Sequence, residues 1–225
     1  MKIPLSNRLI ACCGFIKSGD RVADIGCDHG YLGIHLLKEN IASSVIAADV
    51  NEGPLQSAMR NAVKFGVKDR MAFYLSDGVR NIPREFDCMV CAGMGADTMI
   101  SILEGAPWLK DRRYRLILQC QSKRPELRKY LYKNGFSILR ETLAQDGKFI
   151  YPVMEVIYGP AQALSPAQYY ISPMLLESGS ELLPAFMERV ISGVEATVKG
   201  LEKCGGEKYE EYCSILEDLQ EIQRN

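Results

Sequence analysis

The amino-acid sequence predicts an α/β fold in which parallel strands alternate with helices, followed by a helical hairpin. Short apolar runs ending in Gly or Asp recur along the first 160 residues, and segments with helical spacing of apolar residues separate them. After Gly159 and Pro160 the apolar spacing is helical. These observations predict two domains, residues 1–160 and residues 161–225.

The first domain has the order of elements expected for a Rossmann-like sheet of seven strands, six parallel and one antiparallel. Helical spacing at residues 5–17 precedes the first strand. Gln145, Asp146 and Gly147 form a hairpin turn before the last strand. The predicted strands are residues 22–25, 45–48, 71–75, 86–92, 114–120, 136–143 and 149–158, and the later helices are residues 32–37, 54–65, 99–103 and 125–134.

The turn after the first strand indicates the kind of cofactor. Gly26 and Gly30 lie where a tight strand-to-helix turn needs positive φ or close approach of a ligand, and Asp49 ends the next strand, where it can accept ribose hydroxyls. A dinucleotide site would have glycine where this chain has Asp28, and a carboxylate there would repel a pyrophosphate. Together with Asp24, it suits the ammonium group of S-adenosylmethionine. The alternative is that the two glycines only turn the chain.

The ends of the third and fourth strands indicate how the cofactor's adenine is bound and which substrate is methylated. Asp77, followed by Gly78, could accept from the exocyclic amine of the cofactor's adenine, although Asp-Gly is also an ordinary turn. The fourth strand ends in AGMG at residues 92–95. It lacks the Pro-Pro-aromatic run typical of methyltransferases that act on exocyclic amines. A ring nitrogen or a small molecule is therefore the favoured acceptor.

The C-terminal residues predict an antiparallel helical hairpin with a structural role, packing on itself or on a partner. Ser165 and Gln168 have the spacing of a capping box, and Gly205 and Gly206 separate two apolar stripes. One stripe runs from residue 182 to residue 201 and the other from residue 209 to residue 222.

Eight cysteines raise the question of a disulfide or zinc site. Cys88 and Cys91 have C-x-x-C spacing, but strand alternation would place their thiols on opposite faces, and no second ligand pair accompanies them. We expect the cysteines to be reduced, buried and structural, and we expect no metal. The sequence has no long apolar run and no apparent signal peptide, so a cytoplasmic protein is expected.

Charge is distributed unevenly along the chain. The net charge is −1, yet residues 161–225 carry −6 and residues 1–160 carry +5. The basic side chains concentrate at Lys110, Arg112, Arg113, Arg115, Lys123, Arg124, Arg128, Lys129 and Lys133. They could neutralise nucleic-acid phosphates or form a solvated helix face, and charge alone leaves both open.

Taken together, the motifs resemble those of the bacterial tRNA (adenine-22-N1)-methyltransferase family of class I enzymes. They are LSNRL at residues 5–9, DIGCDHGYL at 24–32, AGMG at 92–95 and LILQ at 116–119, followed by the helical hairpin. The resemblance implies methyl transfer from S-adenosyl-L-methionine to N1 of an adenine in the tRNA D-loop region. It also implies that the hairpin helps the basic first domain to hold the tRNA.

The residues and the resemblance together give the candidate site. The cofactor-binding candidates are Asp24, Gly26, Cys27, Asp28, Gly30, Asp49, Val50, Asp77, Gly78, Ala92, Gly93 and Met94. The catalytic candidates are Asp24, His29, Tyr31 and Arg8, of which His29 and Tyr31 would face the base. The lone pair on adenine N1 needs no strong base, so alignment would carry most of the catalysis.

Three positions depart from the family pattern. Cys27 replaces an expected serine, Ala96 an expected glycine, and QCQS at residues 119–122 replaces Gln-Pro-Asn near the expected substrate entrance. A small-molecule methyltransferase and an inactive nucleotide-binding interaction protein remain the alternative functions.

Overall fold

The computed structural model describes residues 3–161 and 163–224. Its strands are β1 (Asp20–Ile25), β2 (Ala42–Asp49), β3 (Met71–Leu75), β4 (Cys88–Met94), β5 (Arg115–Cys120), β6 (Phe136–Asp146) and β7 (Phe149–Tyr158). Its helices are α1 (Asn7–Cys13), α2 (Tyr31–Lys38), α3 (Glu52–Lys64), α4 (Ala96–Glu104), α5 (Arg124–Lys133), α6 (Pro173–Leu176), α7 (Leu183–Leu201) and α8 (Glu207–Arg224).

The seven strands form one sheet in the order β3-β2-β1-β4-β5-β7-β6. Strands β1 to β5 pair in parallel, while β7 is antiparallel to both β5 and β6. The predicted sheet, with six strands in one direction and one reversed, is therefore confirmed. The strand order reverses between β1 and β4, which is where open α/β sheets bind ligands at the carboxyl ends of their strands.

Helices cover both faces of the sheet, and each face has its own core. Helices α1, α2 and α3 pack on one face, and α4 and α5 pack on the other. Alternation along β4 places Cys88 in the first core and Cys91 in the second, so the prediction of opposite faces is confirmed. Six cysteines are buried, but Cys204 is exposed and Cys213 is partly exposed, so burial was wrongly expected for these two.

Some elements begin or end elsewhere than predicted. Helix α1 covers 7 residues, fewer than the predicted 5–17, and β6 covers 11 residues and extends beyond the predicted 136–143. The helix ends before Gly14, and the extended end of β6 reaches the N-terminus of α1. The Asp146 carboxylate accepts hydrogen bonds from the backbone N–H groups of Asn7 and Arg8, at 2.9 and 3.2 Å, and thereby caps the helix.

The C-terminal helices share a third core with the β6–β7 hairpin. Leu143 and Ile150 from the hairpin are buried against Phe186 of α7 and Leu219 of α8. The Ser165 hydroxyl and the Gln168 side chain form the predicted reciprocal capping box, which opens a single 3-10 turn at Ala167–Tyr169. The boundary between residues 160 and 161 stays a prediction.

A buried polar cluster fastens this third core to the sheet. Arg128 of α5 forms an ion pair with Glu141 of β6 at 2.7 Å, and neither side chain is exposed. Ser172, at the N-terminus of α6, donates a hydrogen bond to the same carboxylate. None of the helices in the described ranges is long and apolar enough to cross a membrane.

Candidate functional site

A cavity of about 240 Å³ opens at the point where the strand order reverses, above the carboxyl ends of β1 and β4. Many of the predicted site residues meet there. Those lining it include Arg8, Leu9, Asp24, Gly26, Cys27, Asp28, His29, Tyr31, Leu32, Ala92, Gly93 and Met94.

The β1–α2 turn forms one wall of the cavity through three residues with positive φ. Gly26 and Gly30 both have φ of +72°, and Asp28 between them has φ of +50°. A Cβ on Gly26 would lie 2.3 Å from Met94 Cε, and one on Gly30 would lie 2.9 Å from Ala58 Cβ. Backbone conformation therefore favours glycine at both positions, and close packing against Ala58 also requires it at Gly30.

Asp49 holds this turn in place from the tip of β2. Its two carboxylate oxygens accept hydrogen bonds from the backbone N–H groups of Asp28, at 3.1 Å, and Asn51, at 2.9 Å. A carboxylate has acceptor capacity beyond two bonds, so Asp49 retains lone pairs for ribose hydroxyls.

Asp24 is a buried carboxyl group on the cavity wall. Burial raises its pKa to about 7; the charges of Asp49 and Asp28 add to the shift, while a hydrogen bond from the Gly33 backbone opposes it. Its Oδ2 atom has no hydrogen-bond partner among the described residues. A cation placed in the cavity would supply the missing partner and favour the ionised form. Burial also raises the pKa of the neighbouring Cys27 thiol, which keeps it protonated.

Arg8 forms the opposite side of the cavity. Its Nη1 donates to Gln119 Oε1 at 3.2 Å, and the same oxygen accepts from the Gly93 backbone N–H at 3.0 Å. A Cβ on Gly93 would lie 3.0 Å from Arg8 Nη1, so the guanidinium rests directly over that glycine. Gln119 is fully buried, and its Nε2 has no partner among the described residues.

Sequence reasoning missed Gln119 and Asp146 as parts of this site. Gln119 belongs to the LILQ motif and to the segment that departs from the family pattern, and Asp146 to a predicted turn, but neither was predicted as a site residue. Asp146 Oδ2 lies 3.6 Å from Arg8 Nε, so it holds the side chain as well as capping the helix. A polar residue inside the otherwise apolar run of β5 was the available signal for Gln119.

His29 and Tyr31 lie at the cavity mouth. The His29 side chain is 53% exposed, its Nε2 lies 3.7 Å from Asp28 Oδ1, and its ring centroid lies 5.8 Å from that of Tyr31. Both rings therefore lie where a ligand entering the cavity would pass.

Val50, Asp77 and Gly78 lie farther along the same sheet edge, after β2 and β3. Val50 is exposed, and the Asp77 carboxylate forms an exposed ion pair with Arg80 at 3.0 Å. Gly78 has φ of +61° and packs against Ile102. Their roles in cofactor binding stay predictions.

The segment that departs from the family pattern at residues 119–122 lies against the AGMG tip. The backbone N–H of Gln121 donates to Met94 O at 2.9 Å, and that of Ala96 donates to Ser122 O at 3.2 Å. Ala96 is fully buried at the start of α4. Within the described ranges, no group of three His, Cys, Asp or Glu side chains is arranged to hold a metal ion.

Comparison with known proteins gives consistent matches. A family model described as "Methyltransferase domain" matches residues 5–154. The tRNA (adenine(22)-N(1))-methyltransferase of Bacillus subtilis is 34% identical over 149 residues, which are 65% of this chain and 63% of that relative. The chain thus aligns with about three fifths of that relative's length.

Two solved structures match over nearly the whole chain. One is Streptococcus pneumoniae Sp1610, a putative tRNA (m1A22) methyltransferase, with a TM-score of 0.87, 27% identity and coverage of 97% of this chain and 99% of that chain. The other is the same protein in complex with S-adenosyl-L-methionine, with a TM-score of 0.84, 28% identity and the same coverage.

Proposed function

Because the chain belongs to the methyltransferase domain family, we propose that it transfers a methyl group from S-adenosyl-L-methionine to N1 of an adenine in tRNA, at position 22 in the D-loop region. The Bacillus subtilis relative and the Streptococcus pneumoniae structures, named for this reaction, support the proposal. A tRNA substrate would place the protein in the cytoplasm.

The observation that carries the cofactor assignment is that a carboxyl group, Asp24, and a guanidinium, Arg8, both line the cavity. The amino-acid end of S-adenosylmethionine has an ammonium group and a carboxylate. The unpartnered Asp24 oxygen suits the ammonium, and the Arg8 guanidinium suits the carboxylate. Asp49, next to the turn, is the acceptor for the ribose hydroxyls. When bound, the cofactor supplies an electrophilic methyl group.

The residues of this chain would then act mainly by positioning the adenine. The N1 lone pair is nucleophilic without deprotonation, so the reaction needs in-line alignment of N1 with the methyl group. N1 is hidden in a base pair or stack, so the base must leave the RNA helix to reach the cavity. His29 and Tyr31, at the cavity mouth, are the side chains we assign to stack on it.

The function is tested by incubating the protein with tritiated S-adenosylmethionine and unmodified bulk tRNA, then analysing the digested nucleosides. We expect label in 1-methyladenosine, with loss of transfer in Asp24→Ala. Asp69→Ala, which removes an exposed carboxylate before β3, is the matched control and should retain activity.

Two outcomes would contradict the proposal. Cofactor binding without transfer to tRNA, but with transfer to a small acceptor, would indicate a small-molecule methyltransferase. Cofactor binding without any transfer would indicate a nucleotide-binding interaction protein.

A further inference from the structure

A cationic groove of about 220 Å³ lies between the N-terminal end of α5 and the middle of α7. Lys123 and Arg124 line one side and Arg189 lines the other, with Gly193 and Thr197 along α7. None of its lining residues is acidic. Residues 161–225 carry a net charge of −6, yet among the described residues Arg189 is the one charged side chain that they contribute to the lining of the groove.

Arg124 is a partly buried cation without a counter-ion. No Asp or Glu of the described residues lies within ion-pair distance of it, and its guanidinium lies 5.2 Å from the centre of the Phe186 ring. Burial, and then repulsion from Arg128, lowers the pKa of Arg124. A guanidinium held partly out of water without an anion is unfavourable, so an anion entering the groove would gain a strong partner.

Gly193 lines the groove and has no side chain to narrow it. It lies inside α7, where glycine is unfavourable compared with alanine. A Cβ at this position would meet no atom within 4 Å, so packing does not require glycine there. An open helix surface beside Arg124 and Arg189 leaves space for a bulky anion to approach.

The groove lies on the same edge of the sheet as the cofactor cavity. Lys123 follows the carboxyl end of β5, the strand next to β4. On the other side of the groove, Arg189 Nη1 donates to Lys148 O at 2.6 Å, in the turn between β6 and β7. Asp146, which contacts Arg8 at the cavity, is the last residue of β6 before this turn. A polymer whose base occupies the cavity could therefore continue along this edge to the groove.

We propose that this groove binds a backbone phosphate of the tRNA, at a nucleotide other than the one that is methylated. The identity of the partner rests on the proposed function. The groove itself rests on Arg124 and Arg189, on the absence of acidic lining and on the open surface at Gly193, while the third cation, Lys123, is paired with Asp97 at 2.7 Å.

The test measures tRNA binding over a range of salt concentrations and the kinetics of methylation. In Arg124→Gln/Arg189→Gln we expect KM for tRNA to rise about tenfold, as for loss of hydrogen bonds to a charged group. The kcat and the affinity for S-adenosylmethionine should stay unchanged, and the salt dependence of tRNA binding should become shallower. Lys38→Gln, at the C-terminal end of α2 on the opposite edge, is the matched control.

Gly193→Glu provides a second test that removes no cation. Its side chain enters open space, so the fold should tolerate it, and its carboxylate should weaken tRNA binding in the same way. If the double variant fails to fold, this variant decides the question. Unchanged KM and salt dependence in Gly193→Glu, or in a folded double variant, would overturn the proposal.

Two further outcomes separate the groove from the proposed function. Wild-type protein that binds tRNA but does not methylate it, with binding weakened in both variants, would support the groove and refute the reaction. Wild-type protein that binds no tRNA would refute the groove. Stabilisation of wild type by millimolar inorganic phosphate, absent in the double variant while both bind tRNA equally, would indicate a site for a small anion and overturn the assignment to RNA.

Discussion

The buried carboxyl group of Asp24 should make cofactor affinity depend on pH. Its pKa is raised to about 7 by burial, and by the charges of Asp49 and Asp28 in second place. If the ammonium group of the cofactor binds only the ionised form, the affinity follows the ionised fraction of Asp24. Between pH 8 and pH 6 that fraction falls about tenfold for a pKa near 7, so Kd for S-adenosylmethionine should rise by about the same factor.

High pH favours cofactor binding, but the same shift in the pKa of Asp24 stabilises the folded protein without its cofactor at low pH. A carboxyl group whose pKa is higher in the folded than in the unfolded state stabilises the fold at low pH. That contribution is full below about pH 4 and is lost as pH rises through 7. A shift of about three pKa units corresponds to roughly 4 kcal/mol. Asp24→Asn, which stays neutral, should therefore unfold at a higher denaturant concentration than wild type at pH 8.

Isothermal titration calorimetry measures both the affinity for the cofactor and the number of protons released when it binds. At pH 6.5, binding of the cation should ionise Asp24 and release about three quarters of a proton per cofactor, seen as a heat that changes with the buffer's ionisation enthalpy. Asp24→Asn should bind weakly and release none from this position. His29→Gln, which changes another side chain of the same turn, serves as the control and should keep the pH dependence. Equal Kd at pH 6 and pH 8, without proton release, would refute the reasoning.

Three further predictions concern single contacts. Arg128→Met should lower the free energy of unfolding by about 3–5 kcal/mol because it leaves the Glu141 carboxylate buried and unpaired, whereas Arg128→Met/Glu141→Leu should be less destabilised in urea denaturation. Gly26→Ala should lower the free energy of unfolding by about 1–3 kcal/mol, because it places a non-glycine residue at positive φ. It should also weaken cofactor binding measured by calorimetry, since its Cβ would meet Met94. Asp146→Ala should lower the free energy of unfolding by about 1 kcal/mol because α1 loses its cap. An unchanged affinity for the cofactor in this variant would show that the position of Arg8 does not depend on Asp146.

The parts of the fold that the sequence predicted correctly rest on local patterns. Strand alternation placed Cys88 and Cys91 on opposite faces because the geometry is fixed over four residues. The spacing of Gly26 and Gly30 predicted the turn because positive φ is a local requirement. The strand directions, six parallel and one reversed, also followed, since alternating strands and helices favour a parallel sheet.

The parts that could not be predicted depend on contacts between distant residues. Gln119 lies 111 residues from Arg8, and Asp146 lies 138 residues from it, so no local pattern joins them. The last residues of β6 pair with β7 and contact α1, and a hydrophobic pattern encodes neither contact. Asp77 illustrates a different limit, because a neighbour three residues away, Arg80, competes for the carboxylate that the sequence assigned to a base.

The contact between the β6–β7 turn and α1 also determines when the site can be completed during synthesis. Asp146, which contacts Arg8, is made 138 residues after it. Until then, a nascent chain can pair β1, β2 and β4 and form the glycine turn, while one side of the cavity remains without its anchor. Cofactor binding should therefore appear late on the growing chain, after the last hairpin has joined the sheet, although the residues that line the cavity lie between Arg8 and Met94.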